Sequence, residues 1–291
     1  FVDTTKKVTQ FYTSVSLVSK VQDGIIATAQ TVKEFDDTLT DFKKVSDLSG
    51  ESLVNYTKKL GDLGTEVART REEMVASATS FKQAGFSDEE ASMLSRVAEL
   101  YRNVADAQID SGTSASFITS QMKAFNIEAK DAISIIDQVN EVSNNFSVSS
   151  TDVAEGLTKS SSSLATYGNS LNETIALVTA GTEIMTGQAS RVARGLSSVG
   201  AGISALASEA GELKYEINGV TETISLFDGA TGEMKNTYQV LSEVAQGWEE
   251  MSKAEQSALA LSLGGKTQIA TISAVLQNFN SAIEANQTAL N

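Results

Sequence analysis

No proline occurs anywhere in the 291 residues. Proline fixes φ at about −65° and has no amide hydrogen, which makes it the strongest breaker of helices. A chain that uses none even in its connections, and is rich in Ala, Ser, Thr, Gln and Glu, is expected to be mostly α. Cys and His are absent too. That excludes disulfides, thiolate or imidazole metal ligands, and nucleophile–base pairs built on either residue. The formal charge is −15. Phosphate binding needs clustered Lys and Arg, so stable nucleic-acid binding is not expected. Apolar residues make up 41% of the chain, enough at this length to bury a core. There is no uncharged apolar run of about 18 residues and no charged-then-apolar leader, so neither a membrane span nor a secretion signal is expected. The sequence starts at Phe1 rather than Met and is read here as a piece of a longer polypeptide.

Apolar periodicity divides the chain into three parts. In the first, Val8, Phe11, Val15, Val18, Ile25, Ala29 and Val32 follow alternating steps of three and four residues, with Gln22 in one seam position. This is a heptad seam. It slips by one residue to Phe35, Leu39 and Phe42 and runs out at DLSGES. The expectation over residues 1–48 is a long coiled-coil-like helix of roughly 40 residues, about 60 Å at 1.5 Å per residue. Such a seam serves either an oligomer or partner contact, or packing on the chain's own domain.

Residues 49–211 read as a compact bundle of short antiparallel helices. Ser87 followed by Glu90 is a capping box, and Leu94, Val97, Tyr101 and Val104 then share one face. Further stripes follow: Ile118, Met122 and Phe125; Ile135, Val139, Val142 and Phe146; Val153, Leu157, Leu164 and Tyr167; Leu171, Ile175, Val178 and Met185. Their connections DSGTS, NIEAK, SVSST and YGNSLNE are short, which suits helix pairs stacked side by side. The aromatics lie on these stripes and read as core. In residues 212–291 the texture changes. Asn218-Gly219 and Asp228-Gly229 among β-branched residues predict a small β-hairpin near residues 214–227, or two. Then come a helix through Leu241, Val244 and Trp248, a second capped near Ser252, and a last one carrying Ile272, Leu276, Phe279 and Ile283.

Few residues invite a chemical reading. Gly264, Gly265, Lys266 and Thr267 spell GGKT, the end of a phosphate-binding loop. That motif needs its first Gly where Ala260 stands, and a strand before it, whereas AEQSALALSLGG reads as helix. The expectation is a structural break, the Gly pair ending one helix in the left-handed region and opening the next. Asp152 with Glu155, or Asp88 with Glu89 and Glu90, offer carboxylate pairs. Each group sits in a first helical turn, where exposed amides stabilise negative charge. Ser160, Ser161, Ser162 and Ser163 lack a partner base and a nucleophile elbow, and read as a small-residue contact or a solvated face. No catalytic, cofactor-binding or metal-binding residue is assigned, and no enzyme is expected.

In order, QAGFSDEEASMLSRVAELYRN, QMKAFNI, AISIIDQVNEVSNNFSVSSTDVAEGL and YGNSLNETIALVTAGTEIM resemble the core domain of phage tail tape measure proteins, of the TP901 type. SLFDGATGEMKNTYQVLSEVAQGWEEMSKAEQSALALSLGGKTQIATISAVLQNF is similar to that family's hairpin, Trp-bearing helix and Gly-Lys break. The resemblance runs from about Val32 to the end. It implies a structural protein that templates tail tube length inside the tube lumen and leaves ahead of the DNA at ejection. The implied partners are tail tube protein, tail assembly chaperones, tail tip or baseplate proteins, and further copies of the chain in the lumen. The implied location is the virion, and the host cytoplasm during assembly, with any membrane contact at ejection made by parts outside this sequence. Two other classes are compatible with the residues. One is a helical interaction or signalling module using the seam from Val8 to Val32. The other is a cell-wall hydrolase domain, which would show a cleft carboxylate of raised pKa.

Overall fold

The computed structural model describes residues 33–290, and the heptad stretch from Val8 to Val32 lies outside them. The described residues divide into two compact units, with the boundary between Ser92 and Met93. The fold is mostly α, with one small two-stranded antiparallel sheet, as the residue pattern predicts.

In the first unit, α1 spans residues 33–43, α2 spans Gly50–Glu66 and α3 spans Arg71–Gln83. Phe42, last of the slipped seam positions, is fully buried and stacks on Tyr56 with ring centroids 5.2 Å apart. The Tyr56 hydroxyl donates to the carbonyl of Asp88 at 2.9 Å. Thr70 and Glu73 form a capping box at the start of α3, Glu73 Oε2 accepting from the Thr70 amide at 2.9 Å. Helix α4, Asp88–Val104, starts as its sequence predicts. The Ser87 amide donates to Glu90 Oε2 at 2.9 Å, and the Glu90 amide to Ser87 Oγ at 3.2 Å.

In the second unit, α4 leads to α5 Ser111–Phe125, a 3-10 turn at Ala129–Asp131, α6 Ile133–Asn145, α7 Ser150–Thr166, α8 Leu171–Ile184 and α9 Ala189–Glu209. Most stripe positions read from the sequence form the core, but Val104 is exposed and the aromatics Phe125, Phe146 and Tyr167 are only half-buried, because each stands at or just past the end of its helix. Ile118, Ile135, Val142, Val153, Leu157, Leu164, Ile175 and Val178 are all fully buried, each such aliphatic side chain contributing roughly 1.5–3 kcal/mol. Helix α9 is the hub, packing against α7, α8, α10, α11 and α12. It approaches them closely because its contact positions are small. A Cβ added to Gly195 would lie 2.4 Å from Thr271, one added to Gly200 2.3 Å from the Tyr167 ring, and one added to Gly202 2.0 Å from the carbonyl oxygen of Leu263.

The hairpin pairs β1 Glu212–Ile217 with β2 Val220–Ser225. Asn218 and Gly219 at the turn have φ of 52° and 77°, the primed turn whose twist matches the strands. Leu213 and Ile224 face each other across the ladder and are the buried pair. Where a second hairpin is conceivable around Asp228-Gly229, only a bridge between Phe227 and Met234 forms. It closes a loop in which Asp228 Oδ1 accepts from the amides of Ala230 and Thr231, each at 2.8 Å.

Then come α10 Thr237–Ala245, α11 Lys253–Gly264, α12 Ile269–Gln277 and α13 Phe279–Leu290. Ser252 caps α11, as expected, and Glu255 completes a capping box that the sequence reading did not name. Trp248 departs from the sequence reading, since α10 stops at Ala245 and Trp248 opens a 3-10 turn. Its carbonyl accepts from Gln256 Nε2 at 2.8 Å, and its ring is 3% exposed. The helix stops short of Gly247, and the indole that follows is buried. Among the described residues no single helix is long and apolar enough to cross a membrane.

These caps give stability a pH dependence. Side-chain hydrogen bonding from Ser87 holds the Glu90 carboxyl below its usual range, and backbone amides do the same for Asp110 (Thr113), Asp228 (Thr231) and Glu255 (Gly219). Each folded-state pKa lies below the unfolded one. The stabilisation is therefore complete above the unfolded values, about 4, and is lost as pH falls through the folded ones. Protonation elsewhere relieves the self-repulsion of a chain with formal charge −15. Thermal melts followed by circular dichroism should show Tm level or rising from neutral pH toward about 5, then falling below about 4. Replacing all four carboxylates by their amides should flatten the acid limb. An acid limb unchanged by those substitutions would assign it to other groups.

Candidate functional site

The GGKT segment forms the corner between α11 and α12, whose axes turn by 118° across it. Gly264 belongs to α11, and a Cβ there would lie 2.7 Å from Ile272. Gly265 alone has positive φ. Its φ of 78° and ψ of 173° place it in the extended glycine-only region rather than in the left-handed helical region expected from the sequence. Its amide donates to the carbonyl of Leu261 at 2.9 Å, completing the turn of α11. Lys266 and Thr267 are exposed and begin a 3-10 turn, Lys266–Gln268. A helix precedes the glycines, and the Gly265 amide is spent within it, so no cradle of amides forms. Isothermal titration with ATP or GTP and magnesium should show no micromolar binding. Binding abolished by Lys266→Ala would contradict the structural-break reading.

The carboxylate candidates are each engaged locally. Asp152 holds the Ser149 hydroxyl at 2.8 Å as part of the α7 cap. Glu155 Oε1 accepts from Ser190 Oγ at 2.5 Å, linking α7 to the start of α9. Asp88 pairs with Lys82 at 3.1 Å and accepts from Ser46 Oγ at 3.0 Å. Glu90 accepts from Ser87, and Glu89 is exposed. Hydrogen bonding from Ser87 holds the Glu90 carboxyl below its usual range, the opposite of the raised pKa a hydrolase acid would carry. The serine run divides by helical position. Ser160 Oγ donates to its own helix at Gly156 O, 2.9 Å away; buried Ser161 donates to Gln121 Oε1 on α5 at 2.6 Å; Ser162 is exposed. Both bland readings of the run hold, at different residues.

A groove of about 770 Å³ lies along α5 and α7, with Tyr101, Phe117 and Ala154 in its apolar part and Ser116, Ser120 and Thr158 along it. The Tyr101 and Phe117 rings are 5.0 Å apart and nearly fully buried. Burial, with Asp106 nearby, pushes the Tyr101 hydroxyl up to about 12, so it stays protonated. The lining residue Ile109 is held through its carbonyl by Arg102, which donates to it at 2.8 Å and to Ser111 Oγ at 3.1 Å. Next to the lining residue Thr151, the Ser150 amide donates to Asp106 Oδ2 at 2.7 Å. The groove thus joins a loop and two helix starts, and its acids Asp110 and Glu155 serve a cap and a helix link.

Sequence reasoning missed the polar ties that hold distant connections together. Buried Asn169, from YGNSLNE, accepts from the Tyr238 amide at 2.9 Å and donates to the Leu164 carbonyl at 2.9 Å. Asn236, the cap of α10, donates to Glu173 in the cap of α8 at 3.0 Å. Glu183 receives Asn278 Nδ2 at 2.8 Å, the Ser147 amide at 3.1 Å and the hydroxyl of Ser281. An Asn inside a short connection was the available signal. Its partners, tens of residues away, were not.

What this geometry defines is an α-helical scaffold whose polar groups are used in caps and ties between helices. The family model for phage-related minor tail proteins matches residues 57–265, from the middle of α2 to the corner after α11. The chain belongs to that family, and is a helical structural protein of a phage tail. No solved structure matches it.

Proposed function

We propose that this chain is part of a tail tape measure protein, a template inside the tail tube that sets tube length and leaves the tube ahead of the DNA. The observation that supports it best is the family match across the capped helices, joined to the resemblance of their ordered sequence to tape measure core domains. The role is structural rather than catalytic: the carboxylates and serines offered as chemical groups cap helices or tie them together. The surface charge fits a protein that DNA must pass, since a chain of formal charge −15 leaves DNA unattracted. Its partners in this reading are tail tube protein, assembly chaperones, tail tip or baseplate proteins, and further copies of itself in the lumen. It resides in the virion and, during assembly, in the host cytoplasm.

Location tests this. Purified particles are treated with protease before and after triggered DNA release, and peptides of this chain are quantified by mass spectrometry. A luminal template stays intact in filled particles and is lost from, or cleaved in, emptied ones. Cleavage in filled particles at the same rate as an external tail protein would place the chain on the outside and overturn the reading.

A further inference from the structure

The hairpin has a free side. Strand β1 pairs with β2 alone, so its other edge carries backbone groups that no strand satisfies among the described residues. The far side of β2 is different in its continuation: the Lys235 amide donates to the Leu226 carbonyl at 2.9 Å, and Met234 bridges Phe227. Helix α11 packs against β1, while α10 packs against β2. Between β1 and α11 lies a groove of about 400 Å³, with Lys214 to Glu216 on the strand side and Ala254, Ala258 and Ser262 on the helix side. Those three helix residues are four apart, exposed and small, so they form one low ridge that leaves room beside the strand. The hairpin is pinned there, because the Gly219 amide donates to Glu255 Oε1 at 2.9 Å.

A strand edge facing a helix across an open groove accepts an extended peptide, whose main chain completes the ladder and whose alternate side chains lie against the helix. Charge selects which peptide. The groove is lined by two carboxylates, Glu216 and Glu255, and one lysine, Lys214, in a stretch from Glu209 to Glu255 that carries ten carboxylates against three lysines. Two of those lysines are already paired, Lys214 with Glu212 and Lys235 with Glu243, each at 2.6 Å. Glu216 is exposed at the groove itself. We propose that the groove between β1 and α11 docks an extended, lysine- or arginine-rich segment of another protein, which adds to β1 as a third strand. The proposal stands apart from the length-template reading, since it rests on this edge and its charge.

The test uses the 291-residue chain and a synthetic octapeptide, Lys-Val-Thr-Val-Lys-Val-Thr-Lys. Two companions accompany it, one with Glu for every Lys and one with Pro for the second and third of its three Val. Binding is followed by titration calorimetry, and hydrogen exchange by mass spectrometry over residues 212–217. The lysine peptide should bind and slow exchange in β1, with the acidic and proline peptides weaker by about tenfold or more. Ala258→Trp, which fills the groove from an exposed position, should abolish binding, and Glu216→Lys should weaken it by about tenfold. Ser116→Trp, on the α5–α7 groove, should leave it unchanged. If Ala258→Trp loses its helical circular dichroism signal, Ala254→Trp takes its place. Three results overturn the proposal: no binding at millimolar peptide, equal binding of the proline peptide, which would mean charge attraction without strand addition, or concentration-dependent protection of β1 without peptide, which would make the occupant a second copy of the chain.

Discussion

Gly202→Val should cost the second unit most of its stability, and Gly202→Ala a large part of it. A Cβ at this position would stand 2.0 Å from the Leu263 carbonyl oxygen and 3.0 Å from its carbon. Those are backbone atoms in the last turn of α11, so no side chain can rotate away. Relief requires α9 and α11 to separate, which also pulls on the corner at Gly264 and Gly265 and on the start of α12. Over-packing of this kind costs about 3 kcal/mol or more, a large share of the roughly 5–15 kcal/mol that holds a domain folded. Two controls isolate the mechanism. Gly200→Ala meets the ring of Tyr167 at 2.3 Å, a group that can reorient, and should cost less than Gly202→Ala. Gly229→Ala has nothing within 4 Å and should lie within about 0.5 kcal/mol of the parent. Urea unfolding followed through the fluorescence of Trp248, the only tryptophan, measures all four variants. A Gly202→Ala midpoint equal to that of Gly229→Ala would mean that α9 and α11 are not in backbone contact.

The same residues show what a sequence can and cannot disclose. Caps are local, so Ser87 with Glu90, and Ser252 as a cap, were legible within a few residues, and both form. The stripes were legible because a helix repeats every 3.6 residues, and the turn because Asn218-Gly219 supplies two positive φ angles. Gly202 was not legible. As a sequence feature it is one small residue in VGAGISALA, a mild cost to helix propensity, and its reason is a carbonyl sixty-one residues further on. GGKT was legible as a break, but its backbone geometry was not, since left-handed and extended glycine conformations look alike in sequence. Trp248 stands beyond the end of α10, directly after Gly247, a residue of low helix propensity. The β1–α11 groove was invisible for the same reason as Gly202: its two walls lie about forty residues apart.

A second large effect is expected from removing Ser111 to Phe146 in frame. This deletes α5 and α6, including buried Phe117, Ile118, Met122, Ile135 and Val139. It uncovers the faces of α7, α8 and α13 that pack on them. At roughly 1.5–3 kcal/mol per large apolar side chain, the lost burial is on the order of 10 kcal/mol, comparable with the whole stability of a domain. If the chain is the length template proposed above, the outcome in a phage depends on whether this part acts as a folded unit or as a length of ruler. A ruler of extended helix sets length at about 1.5 Å per residue, so losing these 36 residues would shorten every tail by about 54 Å. A folded unit contributes its packed form, and without two of its helices it exposes apolar stripes that block assembly. Electron microscopy of particles from the deletion mutant decides between them. The folded-unit account predicts no finished tails of defined length. A uniform population of infectious particles with tails about 54 Å shorter would contradict it, and would make this segment an extended ruler in the virion.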